Sequence, residues 1–110
     1  MEQLLERLRD LSTRATRVMA SIQTEEACKN AFVMPFLGAL GYDVFNPDEV
    51  VPEFVADVGV KKGEKVDYAI RKDGKVIMLV ECKWNGKALS LENASQLFRY
   101  FTVTDARFAI

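Results

Sequence analysis

Apolar residues near the start of the chain recur with a helical period. Leu4, Leu5, Leu8 and Leu11, then Ala15, Val18, Met19 and Ile22, predict an amphipathic helix over residues 2–22. Thr24 is placed to cap a second helix, with Glu25 and Glu26 in its first turn, where the helix dipole favours acids. This helix is expected to run to about Leu40 and stop at Gly41, with Pro35 kinking or tightening its middle. "NPDE" reads as a turn, and "VVPEFVADVGV" as a strand interrupted early by Pro52. Two further strands are expected over 65–72 and 75–83, joined at Asp73-Gly74. In "LSLENASQLFRYFTV" the positions Leu91, Ala94, Leu97, Phe98 and Phe101 return to helical spacing, and "ARFAI" is a short last strand. The order is therefore ααβββαβ, an α/β domain with a mixed sheet flanked by helices. It is expected to be a single domain over 1–110, with an N-terminal helix 2–22 and a core 24–110.

Composition supports that class. A chain of 110 residues hides roughly two thirds of its unfolded surface around one core. With 49% apolar and 28% charged residues it is an ordinary globular sequence, which excludes disorder, collagen and low complexity. No window approaches the apolar run of about 18 residues that a membrane span needs, and "MEQLLERLRD" is charged where a secretory leader would be greasy. A cytoplasmic protein with no membrane partner is expected. Cys28 and Cys82 stand far apart in apolar surroundings without a CxxC, and read as reduced core residues. Histidine is absent, which removes Ser/His/Asp and Cys/His catalysis and the usual zinc sites. Any active site must then be made of carboxylates, lysine, amides and phenols. Charge is uneven: residues 1–60 carry 5 basic and 10 acidic groups, while residues 61–87 carry 8 and 4. The local basic excess suits a phosphate backbone, and equally a solvated charged hairpin.

The stretch "VDYAIRKDGKVIMLVECK" brings chemistry to the hairpin. Glu81 and Lys83 share one face of their strand, and Asp67 lies with Ala69 on its neighbour. Register decides whether the acids meet. A two-residue Asp73-Gly74 turn would set Asp67 opposite Val80 and the acids on opposite faces. A three-residue Lys72-Asp73-Gly74 loop sets Asp67 opposite Leu79, diagonal to Glu81 on the same face. Gly74 suits the left-handed position of the longer loop, which is the expectation. Two carboxylates in contact repel by about 4 kcal/mol at an effective dielectric of about 20. A raised pKa, the Lys83 ammonium or a divalent cation such as Mg²⁺ would offset that. The plainer alternative makes Asp67 an exposed strand start and Glu81 with Lys83 a salt-bridged strand end.

An acid on one strand, an [E/D]xK on the next, a preceding helix with an acid in its first turn and a following helix resemble the PD-(D/E)XK nuclease superfamily. "TEEACKNAFVMPFLGALGYDVF", followed by "VDYAI", "VECK" and "QLFRYF", is similar to the N-terminal nuclease domain of type I restriction enzyme R subunits and to small related phage and bacterial proteins. The resemblance spans about residue 20 to 110. It implies a restriction-endonuclease-like core and a Mg²⁺- (or Mn²⁺-) dependent DNA endonuclease.

In that resemblance Asp67 and Glu81 become metal ligands, with the Cys82 carbonyl a third and Glu25 the helix acid. Glu25 is chosen because it is in phase with Cys28, Phe32 and Phe36. Lys83 orients or deprotonates the attacking water and stabilises the phosphate. Gln96 and Tyr100, one helical turn apart, match the QxxxY signature of the group. Lys61, Lys62, Lys65, Lys72 and Lys75, together with Lys87 and Arg99, are the expected phosphate contacts. Where relatives often carry threonine this chain has Cys28. It has no GxxxxGK[ST] loop and so no translocating motor. The resemblance would continue past "RFAI", as in a truncated chain or a fragment of a longer gene product. Cutting both strands from one site per chain would call for a homodimer or a larger restriction assembly. Two other readings remain: an inactive nucleic-acid-binding module, and an assembly domain whose acid pair is a salt bridge.

Overall fold

The computed structural model describes residues 2–55, 65–83, 97–98, 101–102, 104 and 106–110. These fall into two compact units. One is built on the residues up to Val44 with Cys82 and Lys83; the other takes the described residues between Phe45 and Glu81 and those from 97 onward.

In the helical unit, α1 spans Glu2–Val18 and is followed by a 3₁₀ turn, Met19–Ser21, so the expected helix over 2–22 tightens in its last turn. Its apolar stripe is only half covered, and no residue of α1 is fully buried. Thr24 caps the next helix as expected, its hydroxyl accepting from the Ala27 N–H at 3.0 Å. That helix proceeds as α2, Glu25–Cys28, a π-helical stretch, Lys29–Val33, and α3, Met34–Ala39. The wide turn comes just before Pro35. Proline has no N–H to donate one turn back, and its ring crowds the carbonyl there, so a locally expanded helix relieves both problems. Gly41 ends α3 with a φ of 103°, while the Tyr42 N–H donates to the Leu37 carbonyl at 3.2 Å and the Gly41 N–H to Gly38 at 3.0 Å.

In the sheet unit, Asn46 opens the expected turn, its side-chain oxygen accepting from the Asp48 N–H at 2.9 Å. The strands are β1 Val50–Phe54, β2 Val66–Lys72, β3 Lys75–Val80 and β4 Phe108–Ala109. They lie in the order β1-β2-β3-β4; the first three are antiparallel and β4 runs parallel to β3, giving a mixed sheet. Pro52 sits on edge strand β1, where a missing ladder donor is tolerated. Val66, Ala69, Leu79 and Ala106 form a buried cluster, covered in part by Val51, Phe54, Val76, Leu97, Phe101 and Ala109. The described positions 97–98 and 101–102 are helical, on the stretch expected to be the third helix. The expected continuation of the first strand beyond 55 lies outside the described residues.

The hairpin corrects the expected loop. Lys72 pairs with Lys75, so the turn has two residues, and φ is positive at both, 53° at Asp73 and 79° at Gly74. This is the Asp-Gly pattern of a type I′ turn. The register then slips by one: Arg71 faces Val76 but Ile70 faces Met78, which leaves Ile77 as an extra residue in β3. The Ile77 carbonyl accepts from the Arg107 N–H at 3.0 Å, and the Arg71 N–H donates to the Glu49 carbonyl at 2.8 Å, so the bulge keeps its backbone groups bonded.

Candidate functional site

Beyond the bulge Ala69 faces Leu79 and Tyr68 faces Val80. The expected pairing of Asp67 with Leu79 is thus replaced, and one further step of the same register sets Asp67 level with Glu81. Residues directly opposite on an antiparallel pair share a face. On that register the acids stand directly opposite rather than diagonal, on one face, through a two-residue turn plus a bulge rather than through a longer loop. Strand β3 ends at Val80, short of the expected 83, yet Glu81 remains attached to the sheet, its N–H donating to the Ile110 carbonyl at 2.7 Å. Both acids are half-buried, and Oε2 of Glu81 is shut off from solvent. A carboxylate oxygen removed from water needs compensation, which a solvated strand end does not. Cys82, next in the chain, is buried, and neither Cys28 nor Cys82 is in a disulfide.

The first-turn acids of α2 are divided. Glu25 Oε1 lies 3.5 Å from Lys83 Nζ, whereas Glu26 pairs with Lys29 at 4.0 Å. The capped start of α2 thus aims Glu25, the acid in phase with the apolar side, at the lysine of the ExK.

Sequence reasoning passed over Glu53. On β1 Val51 faces Ala69 and Pro52 faces Tyr68, so Glu53 is level with Asp67. It has a left-handed φ of 51°, and its carboxylate lies 3.8 Å from Lys65. The signal available was only an acid after a proline in a strand. Among the described residues no group of three or more His, Cys, Asp or Glu side chains converges to hold an ion. A Mg²⁺ ion, which often takes one or two carboxylates and completes its shell with water, fits the Asp67 and Glu81 donor set.

Of the expected phosphate contacts, Lys65 is engaged with Glu53, and Lys72 and Lys75 are exposed and directly opposite one another at the mouth of the turn. Like charges in such a pair repel, so an anion placed there would stabilise them. Lys61, Lys62, Lys87, Arg99 and the Gln96 and Tyr100 pair lie outside the described residues. Comparison with known proteins finds no match among family models, curated proteins or solved structures.

Proposed function

We propose that this chain is a Mg²⁺-dependent DNA endonuclease of the PD-(D/E)XK kind, hydrolysing phosphodiester bonds, as its resemblance to type I restriction R-subunit nuclease domains implies. The observation that carries this reading is the register that brings Asp67 level with Glu81. Repulsion between two half-buried acids has to be offset, and a bound divalent cation does so while serving chemistry. Such an ion, when bound, would polarise the phosphate and make hydroxide available near neutral pH. Asp67 and Glu81 would hold it. Lys83, two residues on, would place its ammonium against the phosphate oxygens or the attacking water, with Glu25 anchoring that ammonium before substrate arrives.

The test is nicking and linearisation of plasmid DNA in Mg²⁺ or Mn²⁺, compared with Asp67→Asn and Glu81→Ala. Metal-dependent cleavage by the wild type and none by either variant is expected; absence of cleavage by the wild type in both metals defeats the reading. A second reading, a module that binds nucleic acid without cutting it, is favoured by the Lys83 ion pair, which occupies the ammonium in a structural contact. It predicts DNA retention with no turnover in any metal.

A further inference from the structure

The helical unit contains a cleft of about 300 Å³ between α1 and α3 that the nuclease reading does not use. Its rim is Arg7, Asp10 and Arg14, and its floor includes Pro35, Gly38 and Ala39. Arg7 and Arg14 are two helical turns apart on one side of α1, about 10 Å along the axis. Neither is held by an ion pair among the described residues. Every basic residue of α1 is an arginine: Arg7, Arg9, Arg14 and Arg17. Guanidinium groups are weakly hydrated and present a planar fork that fits phosphate oxygens two at a time, which a lysine ammonium does not. The α3 side of the lining is small by composition, and a Cβ built on Gly38 meets nothing within 4 Å, so the cleft is open at that position.

We propose that this α1–α3 cleft binds a phosphate group of a nucleic-acid strand, with Arg7 and Arg14 as the direct contacts. The choice of nucleic acid as the carrier of that phosphate rests on the nuclease reading; the affinity of the cleft for phosphate rests on the cleft alone. Asp10, on the same rim, opposes the anion and limits its affinity.

The test is fluorescence anisotropy of labelled single-stranded and duplex DNA with the full chain in EDTA, so that metal and cleavage do not enter. Arg7→Gln with Arg14→Gln should weaken binding at least tenfold and flatten the dependence of log K on log salt by about 0.9 for duplex, the value for one phosphate lost. Asp10→Asn should tighten binding. Gly38→Met, which fills the cleft and leaves both arginines in place, should weaken binding at an unchanged melting temperature, with Gly38→Ala as the folding control. Unchanged affinity and salt slope in the double arginine variant overturn the proposal, as does weaker binding by Asp10→Asn. Saturable binding of inorganic phosphate at millimolar concentration, by calorimetry, in a protein that does not retain DNA overturns the nucleic-acid assignment. Because no metal is present, loss of the nuclease reading through absent cleavage leaves these outcomes separately readable.

Discussion

Strand β2 and helix α1 place their polar residues in opposite ways. Four of the seven residues of β2 are buried, and Ala69 and Ile70 have no exposed surface at all, whereas α1 buries none of its 17 residues. An acid on β2 is held by a packed ladder on both sides, so Asp67 has little freedom to move away from Glu81. The arginines of α1 sit on a helix that is half covered, and are free to reach for a ligand. Rigid support suits charged groups that must stay close despite repulsion, and a loosely held surface suits groups that must close on something external.

The largest expected effect separates chemistry from support. Glu81→Ala and Lys83→Ala should each abolish metal-dependent DNA cleavage. Without metal, the melting temperature of Glu81→Ala should stay within a few degrees of the wild type or rise, because the repulsion with Asp67 is removed. A large loss of stability in metal-free Glu81→Ala would make the acid a structural partner instead. Next comes the packing contrast itself. Leu79→Ala should cost about 2–5 kcal/mol by chemical denaturation, since Leu79 has no exposed surface, while half-buried Leu8→Ala should cost less than half as much. Equal costs would erase the distinction between the sheet and α1.

Smaller effects test the devices that set geometry. Gly74→Ala should destabilise by about 1–2 kcal/mol, because φ of 79° is unfavourable for a residue with a Cβ, and denaturant titration would register it. Thr24→Ala should cost about 1 kcal/mol through loss of the cap on the Ala27 N–H. Glu25→Gln should change stability by less than about 1 kcal/mol, as its partner Lys83 is 22% exposed and Glu25 41%. A stability loss several times that size would make the Lys83 pair a structural element of the fold.

Much of the fold was legible because it depends on local chemistry. Thr24 as a cap, Gly41 as a helix stop and the break near Pro35 all follow from conformational preferences of single residues. The bulge at Ile77 was not legible. The run Val76, Ile77, Met78, Leu79, Val80 is apolar throughout, so it carries no alternation that would reveal a slip of one residue. Bonds to distant parts of the chain flank the slip, the Arg107 N–H on the Ile77 carbonyl and the Glu49 carbonyl on the Arg71 N–H, and the hairpin's own sequence carries no sign of them. The expected longer loop placed the two acids on one face by the wrong route, and their shared face comes from the bulge. Glu53 was missed for the same reason, since its level with Asp67 is set by the β1 register and its left-handed φ has no sequence mark beyond the preceding Pro52.

The central claim is that Asp67 and Glu81 together hold a divalent cation. A crystal of the chain soaked in Mn²⁺ and measured at the manganese edge tests it most directly. An anomalous peak between the two carboxylates, lost in Glu81→Ala, is the expected result. Clear density for both carboxylates with no peak between them, in crystals that retain Mn²⁺ in the soak, would contradict it.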